Sequence, residues 1–510
     1  MHARSHAKSS TLRQLMATGA GSKPALGASA TPDLTYGGLR SLIERTISAL
    51  NQSGVGRGDR VAIVLPNGPE MATAFIAIAS GMTAAPLNPG YKTAEFEFYL
   101  SDVKAKALVV EQGSTSPAVE VARQLGIALI TLAPEPAQGA GWFRLSCETS
   151  LGNCTAGFAE QDEVALILHT SGTTSRPKIV PLSQRNISVS AGNIAETLAL
   201  TDHDCGLNIM PLFHIHGLMA GLLAPLSVGG RVFCTPGFNA LRFFSWMDEA
   251  KPTWYTAVPT MHQAILMRAA NNREIIARNP LRFARSSSSS MPPQVIAEVR
   301  NTFNTPLIEA YGMTEAAHQM ASNPLNGVQK PGAVGIAAGP EVAIMGDHGE
   351  LLKPGEIGEI VIRGENVTRG YENNPAANAG AFTNGWFRTG DQGVMDEDRY
   401  VRLTGRLKEI INRGGEKISP REVDEILMDH PAVRQVVVFA MPHEKLGEEV
   451  AAAIVLRDGM IASEKELREF CAQRLVAFKV PRKIVFLEQI PLGATGKLQR
   501  IGLAEKLGLA

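Results

Sequence analysis

The sequence predicts an α/β protein: a large N-terminal domain of two α/β subdomains plus a β subdomain, then a small C-terminal α+β domain. Three observations predict it. Short apolar runs bounded by turn residues alternate with helix-like stretches through roughly the first 230 residues, the pattern of stacked α/β layers. Pro-Gly punctuation at Lys330–Pro340 and Lys353–Gly358 then brackets short alternating strands. Finally, 510 residues exceed what one small core holds, so several lobes are required.

The elements follow in order. A first helix is expected near Thr11–Thr18. Gly54-Val-Gly-Arg-Gly58 precedes a strand, whereas a dinucleotide fingerprint must follow one, so it reads as a turn. Val61–Leu65, bounded by Asp59 and Pro66-Asn67-Gly68, reads as a buried strand, Glu70–Gly81 as a helix and Leu108–Val110 as another strand. Gly358–Arg363 alternates as a strand of the β subdomain. A boundary near Arg406–Lys408 separates residues 1–405 from 406–510. Beyond it, Ser419-Pro-Arg-Glu422 places a capping Ser, a Pro in the first turn and a Glu that completes a capping box. Ser463-Glu-Lys-Glu466 repeats the device before Leu467–Leu475, with strands at Val433–Ala440 and Val450–Leu456.

Composition excludes several classes. Lys+Arg and Asp+Glu are 49 each, without the basic excess of a nucleic-acid binder. Apolar residues at 45% and charged ones at 19% fit a globular chain rather than a disordered one. Five scattered cysteines without a CxxC fit reduced thiols better than a disulfide framework or a zinc site. The longest apolar stretches, Met71–Leu87 and Leu218–Val228, are broken by Gly, Ser, Thr or Pro, so no membrane span is expected. Before Asp33 there is no acid, while Arg4, Lys8, Arg13 and Lys23 sit among Ser and Thr. That start reads either as a mitochondrial transit segment or as a ragged lead-in to the first helix. Leu507-Gly-Leu-Ala510 lacks the peroxisomal Ser-Lys-Leu ending, leaving the cytoplasm as the default expectation. No motif speaks to oligomeric state.

The strongest local signal is His169-Thr-Ser-Gly-Thr-Thr-Ser-Arg-Pro-Lys178. It follows the apolar strand Val164–Leu168 and gathers five hydroxyl side chains and a Gly before a Lys. Backbone N–H groups and hydroxyls in such a turn wrap phosphate oxygens, and the Lys adds a point charge. The segment lacks the G-K-[ST] ending of a Walker A loop. Leu492-Gly-Ala-Thr-Gly-Lys497 is too short for one.

This decapeptide resembles the phosphate-binding loop of the adenylate-forming superfamily of acyl-CoA synthetases, peptide-synthetase adenylation domains and beetle luciferases. Further segments match in the same order: Tyr311-Gly-Met-Thr-Glu315, Gly385-Trp-Phe-Arg-Thr-Gly-Asp391, Leu403-Thr-Gly-Arg406 with Lys408, and Gly496-Lys497. The resemblance spans about Leu12 to Leu503. It implies two steps: a carboxylate attacks the ATP α-phosphate to give an acyl-adenylate and pyrophosphate, and a thiol then displaces AMP. By the resemblance, Thr170, Ser171, Gly172, Thr173, Thr174 and Lys178 hold the ATP phosphates. Glu315 holds Mg²⁺, a hard cation suited to oxygen ligands. Thr314 bonds the α-phosphate, Tyr311 stacks on adenine, and Gly312 and Met313 complete that ATP-contacting segment. Asp391 accepts from the ribose hydroxyls with Arg406 in support. Lys497 is the catalytic cation bridging carboxylate and α-phosphate. The mobile C-terminal domain swings at Lys408, and Gly414 and Gly415 line the CoA pantetheine tunnel, where a missing Cβ permits close approach.

Three positions bear on the carboxylate. His214, in Pro211-Leu-Phe-His-Ile-His-Gly217, stands beside the acyl site in this family, with His216 as the competing choice. His318 stands where many relatives carry a non-ionisable residue. Ser286–Ser290 replaces the usual Gly-Ala-Ala-Pro tract and places Ser288 towards the same pocket. The combination resembles oxalate–CoA ligases, and a small dianion suits it, because a fatty tail would leave these polar groups unpaired at ~1–3 kcal/mol each. No Arg clamp for the second carboxylate is evident in the sequence. Malonate or another short diacid, a fatty or 4-coumarate-like acid, a carrier-protein-loading adenylation domain and an inactive nucleotide-binding scaffold are the competing readings. Free CoA is the expected thiol, since no carrier domain follows Ala510.

Overall fold

The computed structural model describes residues 9–147, 150–170, 177–330, 332–491 and 499–510. Its architecture is the mixed α/β arrangement expected, with a large N-terminal region and a small C-terminal α+β domain. The contacts separate two compact units: one built from the residues up to Thr170, with 178–342 and 362–381, the other from 343–361 and 382–510.

The first unit contains two large sheets. The seven-stranded one runs Phe143–Cys147, Ala128–Pro134, Ala107–Glu111, Arg60–Val64, Thr83–Pro86, Val164–Thr170 and Lys178–Ser183. The inner strands pair in parallel, and the last pair is antiparallel, with Thr170 opposite Lys178. The helix Pro69–Ala79 is buried over nearly its whole length, which explains why its sequence is apolar on all sides. Pro at its first position suits a helix start, where the missing N–H costs nothing. Thr11 caps the first helix, Leu12–Met16, by accepting from the Gln14 N–H.

The nine-stranded sheet places side by side the parallel strands Arg231–Cys234, Cys205–Asn208, Trp254–Ala257, Phe283–Ser286 and Leu307–Met313. His318–Ser322 continues it antiparallel to Leu307–Met313. Ligands of open α/β sheets bind outside the carboxyl ends of the strands. Here those ends carry Thr256, Ser286 to Ser288 and Met313 to Glu315.

The second unit begins in a five-stranded sheet that includes Ile357–Arg363, Trp386–Met395 and Val401–Arg406. It continues in a C-terminal sheet of Glu416–Ile418, Ile411–Arg413, Gly447–Leu456, Val433–His443 and Lys483–Phe486. Buried Val423, Leu427, Leu467 and Cys471 from its helices close that core. The capping box at Ser463 is present, on the helix Glu464–Ala472. The one expected at Ser419 is not. Pro420 opens the helix Pro420–Met428, but the Ser419 hydroxyl donates to the Thr404 carbonyl, and Glu422 pairs with Lys479 at 2.7 Å. Tertiary partners outbid the local ones.

Among the described residues, no helix is long and apolar enough to cross a membrane. All five cysteines are free, with Cys205, Cys234 and Cys471 buried.

Candidate active site

The first unit brings two of the expected phosphate-side residues together through a third. Lys178, the first residue of its strand, holds Nζ 4.3 Å above the Tyr371 ring. The Tyr371 hydroxyl donates to Glu315 Oε1 at 2.8 Å. Burial, helped by the Glu315 charge, pushes the Tyr371 phenol well above its ordinary range, so it stays a donor. Tyr371 carries no signal in the sequence beyond following Arg369-Gly370. Thr170 ends the preceding strand, and beside it His169 Nε2 lies 3.0 Å from Asp102 Oδ2. Ser171, Gly172, Thr173 and Thr174 lie outside the described residues, as does Lys497.

Tyr311, Gly312 and Met313 end their strand, and a tight turn, Thr314–Ala316, follows. The chain then doubles back, with Met313 opposite His318. Gly312 is required there, because a Cβ would collide with the His318 carbonyl. The reversal drives Ala317 and His318 to φ +47° and +95°. Non-glycine residues in this region cost about 1–3 kcal/mol and persist where surrounding structure imposes them. Ser288 shares the feature at φ +74°. Glu315 is buried at 5% exposure. Among the described residues, no group of three or more His, Cys, Asp or Glu could hold a metal by itself. Glu315, whose Oε1 accepts from the Tyr371 hydroxyl, is the oxygen donor that the family resemblance assigns to Mg²⁺, a hard cation suited to such ligands.

Of the two histidines in Phe213-His-Ile-His216, the fold buries the second. His214 is half-buried with its ring 4.6 Å from Phe213. His216 immediately precedes the π-helical segment Gly217–Leu223 and is 2% exposed. Its ring stacks on His318 at 4.8 Å and 18°. Its Nδ1 lies 3.0 Å from Ser288 Oγ and its Nε2 2.7 Å from Thr256 Oγ1. His318 Nε2 is buried without a hydrogen-bond partner among the described residues. Burial first, then the charge of nearby Arg285, holds His318 well below the ordinary imidazole value; His216 is held low by burial, His318 and Arg285. The result is a polar wall of neutral imidazoles beside the exposed Ser288 hydroxyl.

In the second unit, Asp391 and Arg406 stand directly opposite on paired strands, with Arg406 Nε 3.0 Å from Asp391 Oδ1. Asp391 is buried while Arg406 is half exposed. Lys408 is exposed in the turn Leu407–Glu409. Gly414 and Gly415, at φ +58° and +97°, form the two-residue hairpin loop between Ile411–Arg413 and Glu416–Ile418. Two positive φ values are what such a loop demands. Next to Lys408, Glu409 pairs at 3.2 Å with Arg500 Nε, and Arg500 also reaches buried Asp424 at 2.5 Å.

The model of the AMP-binding enzyme family matches residues 14–372, and that of the AMP-binding enzyme C-terminal domain matches 422–497. The chain belongs to the AMP-binding enzyme family. This AMP-binding enzyme is 45% identical to the oxalate–CoA ligase of Arabidopsis thaliana, over 93% of this chain and 94% of that protein. It is 42% identical to the oxalate–CoA ligase of Saccharomyces cerevisiae, over 88% and 87%. Among solved structures, ATP-bound MatB from Rhodopseudomonas palustris superposes with a TM-score of 0.87 at 27% identity, covering 98% of both chains.

The buried imidazoles give this AMP-binding enzyme an expected acid sensitivity. Burial lowers His216 and His318, and lowers His262 to about 4. In the unfolded chain the same rings take up protons near pH 6.5. Below that pH the unfolded state binds more protons than the native one. Stability is therefore full above about pH 6.5 and falls as pH drops, by up to ~1.4 kcal/mol per pH unit for each such histidine. Urea denaturation at about pH 7.5 and about pH 5 checks this; equal stabilities would mean the native rings are already protonated.

Proposed function

We propose that the protein is an AMP-forming oxalate–CoA ligase, converting oxalate, ATP and CoA to oxalyl-CoA, AMP and pyrophosphate. One observation carries the choice of acid: the stacked, neutral His216–His318 pair with His318 Nε2 unpaired. A buried polar atom left unmatched costs ~1–3 kcal/mol, and an alkyl or aryl tail would leave it so. The second carboxylate of a short dianion supplies the acceptor. Relatives named oxalate–CoA ligases at 42–45% identity support the same acid.

In this reading one oxalate oxygen attacks the α-phosphorus as the bond to the β-phosphate breaks. The CoA thiolate then attacks the oxalyl carbonyl and AMP leaves. Lys178 faces the phosphates, Thr314 bonds the α-phosphate, Glu315 would hold a Mg²⁺ whose charge offsets that of the phosphates, and Lys497 meets the charge that develops between carboxylate and α-phosphorus. His214, His216, Ser288 and His318 orient the acid. Asp391, supported by Arg406, takes the ribose, Tyr311 the adenine, and Gly414 and Gly415 the pantetheine, with Lys408 as the hinge.

The test is CoA- and Mg²⁺-dependent AMP release measured separately with oxalate, malonate, acetate, octanoate and 4-coumarate. Oxalate is expected to give the highest kcat/KM. A higher value with octanoate or 4-coumarate would return the histidines to packing, and no AMP release with any of the acids would remove the reaction.

A further inference from the structure

Behind the imidazole wall lies a charge that no motif in the chain announces. Arg285 sits inside the strand Phe283–Ser286, opposite Thr256 on one neighbouring strand and Ile308 on the other. It is fully buried. Burial pulls its guanidinium down to about 9, which still leaves it a cation at neutral pH. Every hydrogen bond it makes ends on a neutral acceptor. Nη2 donates to Gln319 Oε1 at 3.1 Å, and Nη1 faces Thr256 Oγ1 and His216 Nε2, both at 3.4 Å. Among the described residues its Nε has no partner and no carboxylate pairs with it. An unpaired buried charge costs several kcal/mol. A packing role alone would be filled at lower cost by an apolar side chain.

A guanidinium can only donate, and that fixes the direction of the hydrogen bonds around it. Gln319 is oriented independently, since its Nε2 donates to the Ala338 carbonyl at 2.9 Å and to Thr197 Oγ1 at 3.1 Å, leaving Oε1 for Arg285. On the other side, the Arg285 Nη1 donor 3.4 Å from His216 Nε2 favours the lone pair on that nitrogen. The Thr256 hydroxyl accepts from Nη1 and donates to Nε2. The His216 proton is therefore on Nδ1, which donates to Ser288 Oγ. With that oxygen accepting from the ring, the exposed Ser288 hydroxyl is left to donate its own proton. The Arg285 backbone is held in turn, because His262 Nε2–H donates to its carbonyl at 3.2 Å and the Tyr255 hydroxyl donates to His262 Nδ1 at 3.0 Å.

We infer that Arg285 is a specificity-determining positioning residue: it sets the His216 tautomer so that the relay ends in a Ser288 donor, and it provides a buried positive charge that selects a dianionic acid. The selectivity half rests on the reading of the pocket as a dicarboxylate site; the tautomer half does not. No atom of Arg285 touches substrate in this scheme, so its effect passes through His216, Ser288 and the field.

The test uses the full-length protein labelled with ¹⁵N-histidine, the His216 signal being identified by its loss in His216→Asn. The wild type is expected to show the Nδ1–H tautomer, and an Nε2–H ring would overturn the relay whether or not any variant folds. In Arg285→Met the Nδ1–H population is expected to fall. The oxalate-to-acetate ratio of kcat/KM is expected to fall roughly 10- to 100-fold, with partial recovery in Arg285→Lys. An unchanged ratio and tautomer in Arg285→Met, or equal losses on both acids, would reduce Arg285 to a structural residue. A wild type with no preference for oxalate would defeat the pocket assignment and with it the selectivity half, while the ring spectrum still decides the tautomer.

Discussion

Replacing Lys497 with alanine is expected to lower the rate of adenylate formation by ~10²–10³-fold or more, the usual loss when a preorganised donor to developing charge is removed. Transfer of the oxalyl group from supplied oxalyl-adenylate to CoA is expected to survive largely intact. The asymmetry follows from the charge. As the carboxylate meets the α-phosphate, two anions are pressed together and negative charge passes to pyrophosphate. A cation placed there lowers the barrier of that step. In the second step a thiolate attacks an acyl carbonyl and AMP departs, and the proposed reading assigns the thiol to Gly414 and Gly415 rather than to Lys497. Pyrophosphate exchange measures the first half-reaction and thioester formation from the adenylate the second. Equal losses in both would remove Lys497 from the role assigned to it.

The second large effect is expected at His318. His318→Ala is predicted to reduce kcat/KM for oxalate roughly 10- to 100-fold, the worth of a hydrogen bond to a charged group, and to change acetate by much less. The residue sits at φ +95°, and its buried Nε2 has no partner among the described residues. The fold thus imposes an unfavourable backbone on a residue whose polar atom has no internal use, which is what a ligand contact requires. His318→Asn serves as the companion variant. Asn tolerates left-handed backbone and keeps a donor, so part of the oxalate preference is expected to return. Comparable losses with both acids in His318→Ala, without recovery in Asn, would make the ring structural.

Much of this architecture is legible in the chain itself, where local chemistry and tertiary structure agree. The Ser463 capping box, the Gly414-Gly415 hairpin and the buried strand near Val61 each depend on a few neighbouring residues. Ser419 marks the limit: the helix starts where its signature indicates, but the hydroxyl finds the Thr404 carbonyl, fifteen residues away in sequence, instead of its own backbone. The site shows the same division. The adenylate-forming motifs stand out as contiguous words. His214 and His216, two positions apart, cannot be ranked until the π-helical segment beginning at Gly217 turns one of them inward. Arg282 and Arg285 lie three residues apart, the first just before a short strand and the second on it, yet the first pairs with Asp204 while the second is sealed behind His216 with no counter-charge among the described residues. Tyr371 joins Lys178 to Glu315 across almost two hundred residues of chain, a relation no local pattern encodes.

One competition measures the central claim most directly. The enzyme is given ATP, Mg²⁺ and CoA with oxalate, malonate, acetate and 4-coumarate at equal concentrations, and the thioesters formed are identified by mass. The His216, Ser288 and His318 wall predicts that oxalyl-CoA dominates the early products. A mixture led by coumaroyl-CoA or acetyl-CoA would contradict it, because those acids bring no second carboxylate to the unpaired imidazole.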